Sequence, residues 1–329
     1  MKKVCLTAII ILINFPIIRS QNQEMSGYHV AEIFTDFHLN IMNDGNKTGF
    51  NVNRAYLGYV YTVDKNFSAN LTVNIGSPED LAPGSVDRRY AYFREASLTY
   101  SQNKLNIAFG MVTARLFNFQ QRFWGKRYVA NTYQSINGYG FVADLGIITD
   151  YKFSDWIDMD LSITNGEGYT KLQLDNAVKT GLGITITPVN EVAIRFFGDL
   201  QQTHGLWQGT MVGFAGYKNS KFTFGAEASY KSNLDLIEGH HAWGISSTGS
   251  VSITKKLEFF TRYDYSTSVT PSGNETSWNI AKDGQFLING FQYTFNKVVK
   301  IALDNQATFP SDKNGTIADM IFVNALFKF

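Results

Sequence analysis

Residues 156–164 read WIDMDLSIT. Ile157, Met159, Leu161 and Ile163 take every second place, with Asp158, Asp160, Ser162 and Thr164 between them. An extended chain points successive side chains to opposite faces, so this stretch is a strand with one apolar and one polar face. The pattern recurs along the chain. NLTVNIG (70–76) sets Leu71, Val73 and Ile75 against Asn70, Thr72 and Asn74. EVAIRFFGDL (191–200) sets Val192, Ile194, Phe196 and Leu200 against Glu191, Arg195 and Asp199. KLEFFTRYDY (256–265) sets Leu257, Phe259, Tyr263 and Tyr265 against Glu258, Arg262 and Asp264.

A soluble sandwich alternates too, but its strands average about 5 or 6 residues, and these run to about 9 to 12, the length a tilted strand needs to cross a bilayer. The apolar faces also end in rings that settle at lipid headgroups: Tyr59, Tyr61, Tyr100, Tyr151, Trp156, Tyr230, Tyr263, Tyr265, Phe295, Phe327 and Phe329. Sixteen such segments centre near 33, 57, 71, 96, 108, 146, 160, 182, 195, 213, 226, 248, 261, 290, 303 and 324. Short connections (63–66, 101–104, 153–156, 187–190, 217–221, 254–256, 296–298) alternate with long ones near 40–51, 76–89, 113–138, 165–177, 202–208, 232–241, 266–283 and 310–316. That alternation describes an all-β, 16-stranded antiparallel transmembrane barrel with its tight turns at one end. The final stretch IFVNALFKF (321–329) is then the closing strand, paired with the first segment so that no open edge meets lipid.

Lys2 and Lys3 precede an apolar run from Val4 to Ile18, and a polar stretch follows. This is the layout of a secretory signal peptide over 1–20, leaving 21–329 as one barrel domain. Cys5, the only cysteine, falls in the leader, so disulfides and cysteine chemistry drop out of the mature chain. Without Lys2, Lys3 and Arg19 the chain keeps 26 basic against 28 acidic side chains, a balance that does not suit a nucleic-acid partner. The expected location is the outer membrane of a Gram-negative bacterium, with outer-membrane lipid and small anionic or neutral solutes as partners. No cofactor, metal ion or catalytic residue is expected.

Sixteen strands enclose an aqueous lumen. Arg54, Asp144, Asp160, Arg195, Arg262 and Lys300 fall on its wall, along with Glu32, Asp36, Asp199, Glu227, Asp264 and Asp304. The third long loop, TARLFNFQQRFWGKRYVANTYQSIN (113–137), carries Arg115, Arg122, Lys126 and Arg127 and no acid. It also carries six aromatic residues, which suggests that it folds inward onto the wall. If 115–126 is helical, Arg115, Arg122 and Lys126 share a sector of about 40°, and Gly125 weakens that helix. Such a basic stripe at a constriction attracts anions. The alternative is that wall carboxylates such as Asp144 and Asp160 neutralise it.

At this loop a resemblance appears. RAYLGYVYTVDKNFSANLTVN, GMVTARLFNFQQRFWGKRYV, GYGFVADLGI and ITNGEGYTKLQ resemble outer-membrane porins of Bacteroidetes-type bacteria, related to the phosphate-selective porin O/P family. The resemblance implies a trimer, a third loop folded into the barrel, and a pore for anions such as phosphate. Arg115, Arg122, Lys126 and Arg127 match its inward loop by position. The wall departs from the phosphate-selective pattern, because its acids match its bases, and this favours a general porin. Two other readings stand beside it. A closed structural or ligand-binding barrel would have the third loop block the lumen. A barrel hydrolase would need more than His204, or His240 and His241 near Glu238, and no Gly-x-Ser-x-Gly or His-Glu-x-x-His occurs.

Overall fold

The computed structural model describes residues 26–42, 48–76, 90–173, 175–271, 273, 283–312 and 315–329. The leader expected over 1–20 lies outside the described residues.

The strands are β1 (Ser26–Asn40), β2 (Gly49–Thr62), β3 (Phe67–Gly76), β4 (Tyr90–Gln102), β5 (Leu105–Thr113), β6 (Ala143–Lys152), β7 (Ile157–Thr164) and β8 (Lys179–Val189). They continue as β9 (Val192–Thr203), β10 (Leu206–Lys218), β11 (Phe222–Ser232), β12 (His241–Ser252), β13 (Leu257–Val269), β14 (Gly284–Thr294), β15 (Val299–Pro310) and β16 (Ala318–Lys328). Each pairs antiparallel with its sequence neighbours, and β1 pairs with β16 to close the barrel. The seam sets Phe37 opposite Val323 and Ile33 opposite Phe327, so the last strand fills the gap its alternation predicted. Closure satisfies the backbone donors and acceptors of both edges, a requirement in lipid.

The two-residue period turns this barrel inside out relative to a soluble protein. On β9, Phe196 is 58% exposed on the outer face, while Arg195 is 3% exposed inside. On β3, Leu71 and Ile75 face out and Thr72 and Asn74 are buried inside. Exposed rings form two belts. Tyr59, Tyr151, Trp156, Phe222 and Phe295 lie near the short turns, and Trp207, Tyr230, Trp243 and Phe309 lie toward the long loops.

Two expectations are corrected. The connection near 202–208 is not a long loop. Thr203 pairs with Leu206 across a two-residue turn, so β9 and β10 run on to the rim. His204 (φ 50°) and Gly205 (φ 84°) both hold positive φ, the conformation of a type I′ hairpin. The helix expected over 115–126 is also shorter. α1 spans Asn118–Trp124 and ends where Gly125 turns left-handed at φ 70°. Arg115 and Lys126 therefore lie outside it. A second single-turn helix, α2, spans Tyr133–Ile136.

Candidate functional site

The segment between β5 and β6, residues 114–142, folds into the barrel and crosses the lumen. Its backbone and side chains are tied to wall after wall. Arg195 on β9 donates from Nη2 to the Arg115 carbonyl at 3.0 Å. Gln134 Nε2 donates to Glu227 Oε2 at 2.7 Å and to Ser229 Oγ at 3.0 Å on β11. Lys126 Nζ meets Glu258 Oε1 on β13 at 2.8 Å. Tyr128 Oη donates to Gln292 Oε1 on β14 at 2.8 Å, and Gln306 Nε2 on β15 donates to the Val129 carbonyl at 3.2 Å. Arg262 Nη1 donates to the Asn131 carbonyl.

Apolar packing holds the same segment. Leu116, Phe117, Trp124, Tyr128, Val129, Tyr133 and Tyr139 are all buried. Burying one such side chain contributes roughly 1.5–3 kcal/mol, so the inward position is the stable one. Phe119 and Phe123 meet Phe214 of β10 at centroid distances of 5.6 and 5.0 Å. The wall is cut to fit: a Cβ added at Gly244 on β12 would lie 2.0 Å from Tyr133 Oη. Some of the lining is apolar where alternation suggested only polar groups. Phe34, Phe260 and Ile288 face inward and pack with Tyr56, Trp124, Tyr128 and Val129.

The four loop cations do not act alike. Arg115 is neutralised by a two-pronged pair with Asp150, Nε to Oδ1 at 2.8 Å and Nη2 to Oδ2 at 2.6 Å. Burial works against its charge, but Asp150 more than offsets this and holds the guanidinium above its ordinary value. Lys126 is buried against Glu258, with its ammonium 5.4 Å from the Phe260 ring centre. Burial lowers its pKa, Glu258 opposes the shift, and Lys300 and Lys218 add to it. Arg122 is exposed and has no hydrogen-bond or ion-pair partner among the described residues. Burial, then Arg115 and Arg195, lower its pKa. Arg127 lies 5.5 Å from the Tyr56 ring centre, and its Nε and Nη2 are buried without a partner among the described residues. Burial lowers its pKa, Tyr56 opposes the shift, and Arg54 and Arg94 add to it.

The expected stripe is thus divided. Arg122 opens on a hollow of about 260 Å³ near the short turns, which Lys104, Lys152, Asp158 and the paired Arg195 also line. Arg127 opens on a larger cavity of about 940 Å³ toward the long loops, with Arg54 beside it. The acids that neutralise loop cations are Asp150 and Glu258, not Asp144 and Asp160. Asp144 instead accepts from the Leu145 and Gly166 backbone N–H groups at 2.9 and 2.7 Å. Asp160 is held by Arg195 at 2.6 Å, and Arg262 holds Asp264 at 2.6 Å. Lys300 is half-buried on β15, close enough to Lys126 and Glu258 for its charge to act on both.

Arg94 was missed. The pairing of β3 with β4 slips between Thr72 and Val73, leaving Arg94 as an extra residue, and Arg94 and Glu95 both turn inward. A second slip, between Phe34 and Thr35 on β1, does the same for Asn53 and Arg54 on β2. A bulge sets two successive side chains on one face and re-aims them. The sequence signal was FREA (93–96), two charged residues in a row inside an otherwise alternating strand. Glu95 accepts from Asn70 and Thr113 and lies 3.6 Å from Arg94 Nη1, which also donates to Thr113 Oγ1 at 3.3 Å, while the Arg94 guanidinium sits 5.9 Å from the Tyr169 ring centre.

The closed sixteen-strand barrel matches the fold of solved outer-membrane proteins and porins. The chain superposes on Salmonella typhi OmpF in complex with daunomycin at a TM-score of 0.70, with 11% identity over 92% of this chain and 97% of that one. An anion-selective porin from Comamonas acidovorans matches at 0.69, with 10% identity over 93% of this chain and 100% of that one. In vitro folded OmpT of Vibrio cholerae, in a trimer form, matches at 0.64, with 13% identity over 93% of this chain and 99% of that one. No protein-family model and no curated sequence matches the chain. At these identities the likeness is one of fold.

Proposed function

We propose that this chain is an outer-membrane porin of a Gram-negative bacterium, a water-filled channel for passive diffusion of small hydrophilic solutes, with a preference for anions. The observation that carries the preference is the uneven neutralisation of the inward loop. Arg115 and Lys126 have carboxylate partners, whereas Arg122 and Arg127 add positive charge on the two sides of the loop. Fixed charge beside a low-dielectric wall sets which ions pass. The neighbour described as an anion-selective porin makes this reading natural for the fold, and a trimer form is described for another. A homotrimer, and phosphate as one of the anions, belong to the same proposal. So do the leader over 1–20 and the absence of catalysis.

The many tethers of the loop favour one second reading, a barrel closed by its own loop. Planar-bilayer recording of the mature chain, 21–329, separates the two. A conducting channel whose reversal potential in a salt gradient favours anions, with the preference reduced in Arg122→Gln and Arg127→Gln, supports the first. A folded barrel without conductance supports the second. Cation preference overturns the anion reading.

A further inference from the structure

The cavity of about 940 Å³ on the long-loop side has two unlike ends. One end is basic, with Arg54 and Arg127 in its lining. Arg94 stands near enough that, with Arg54, it depresses the Arg127 pKa. Phe34, Tyr128, Phe286, Met320 and Phe322 give the cavity an apolar patch, within a lining that also holds His38, Asn51, Asn53, Gln306 and Asn324. The carboxylate in the lining, Asp36, is already engaged by His38 Nδ1 at 2.6 Å and Asn53 Nδ2 at 2.7 Å.

We infer that this cavity is a binding station for small organic carboxylates, which enter with the carboxylate toward Arg127 and lay an apolar body along the Phe34–Phe286 wall. The inference rests on the anion-channel reading and names its solute class. Two β-bulges turn arginines inward, Arg54 from β2 into the cavity lining and Arg94 from β4 beside Glu95, Thr113 and Tyr169. Bulges of this kind mark places where a side chain is re-aimed for use. The Nε and Nη2 of Arg127 lie along one edge of the guanidinium, the edge that receives a carboxylate with two parallel hydrogen bonds. Those two nitrogens are buried, with Cζ 5.5 Å from the Tyr56 ring centre, so engagement requires the guanidinium to turn toward the cavity that Arg127 already lines. Tyr56 Oη is also buried beside Arg127 and can donate to the same group. A bare inorganic anion would leave the apolar wall unused, and a neutral ring would leave the arginines unused. A solute with both features uses both.

The test is interruption of the chloride current through single channels by four probes: sodium benzoate, sodium acetate, inorganic phosphate and benzyl alcohol. Benzoate is expected to interrupt the current at concentrations about tenfold below acetate or phosphate, with benzyl alcohol without effect; tenfold corresponds to about 1.4 kcal/mol. In Arg127→Gln the benzoate concentration should rise at least about fivefold, with Arg127→Lys between the two. Equal potency of phosphate and benzoate overturns the apolar wall's role. Equal potency of benzyl alcohol and benzoate overturns the arginines' role. An unchanged benzoate response in Arg127→Gln overturns the assignment of that residue. An anion-preferring channel that treats benzoate like acetate sinks this inference alone. A cation-preferring or non-conducting barrel sinks the functional reading beneath it as well.

Discussion

Lys126 and Glu258 illustrate how an ionic contact inside this barrel differs from one on a surface. The lysine is almost fully buried and the glutamate 23% exposed. Removing one partner leaves the other charged in a poorly solvated place, which costs more than the pair contributes. Lys126→Met is therefore expected to destabilise the barrel by about 1–3 kcal/mol after allowance for the glutamate's partial exposure. Lys126→Met with Glu258→Gln is expected to recover most of that loss. Denaturant titrations of the two variants in detergent check this, and equal losses in both would show that the pair's electrostatics do not matter. Asp283, at the long-loop rim, offers a pH test. Burial raises its pKa, while bonds from the Ser268 backbone and hydroxyl and the influence of His240 oppose the shift. An acid whose folded pKa is raised favours folding while protonated. Its contribution is full below the ordinary aspartate range and is lost as pH rises through the raised value. Asp283→Asn should flatten that part of the stability–pH curve. If the curve is the same in the variant, Asp283 is not the titrating group.

At the scale of elements, the inward loop is held by packing at its ends and by hydrogen bonds along its length. Gln134 and Tyr133 lie in α2 and reach β11 and β13 respectively. Gln134→Ala removes one of the side-chain donors to Glu227, Gln120 being the other, and loosens this end of the loop. The expected result is a noisier single-channel current with more frequent brief closures, and a trace indistinguishable from the parent would mean that packing of Tyr133 alone fixes the loop. Gly244→Val acts on the same contact from the wall, because the added atoms meet Tyr133 Oη. It should displace α2 and raise the mean conductance, read in the same recordings. The strands were legible in sequence because each is a local pattern: alternation in WIDMDLSIT needs no knowledge of its neighbours. The inward loop was legible from its aromatic content. The partners of its cations were not, because Asp150 and Glu258 approach only when β6 and β13 close around it. The bulges hid for a related reason: a single inserted residue shifts the register and looks like noise in the period. The turn at His204–Gly205 was misjudged because the polar run Gln201–Gln202–Thr203–His204 before it looks like loop, while φ > 0 at two adjacent positions makes a hairpin of it.

The molecule as a whole carries little net charge, so the anion selectivity proposed for it rests on placement rather than on sum. Arg122 and Arg127, without an ion-pair partner among the described residues, lie on the inward loop, while several wall acids are engaged: Asp160 by Arg195, Asp264 by Arg262, Asp150 by Arg115 and Glu258 by Lys126. A field built this way is short-ranged. The Debye length is about 10 Å at 0.1 M salt and about 3 Å at 1 M. At low salt the influence of Arg122 and Arg127 therefore reaches about 10 Å into the lumen, and at high salt only about 3 Å. The anion-to-cation permeability ratio, taken from reversal potentials at a fixed gradient ratio, should fall toward the ratio of the free ions' mobilities as mean salt rises from 0.1 to 1 M. The double variant Arg122→Gln, Arg127→Gln should lie near that limit at every concentration. A ratio that stays constant over the whole salt range in the parent protein would point to desolvated contacts at one tight site instead of a screened field. Selectivity would then be set by which groups an ion touches, and not by the charge it passes.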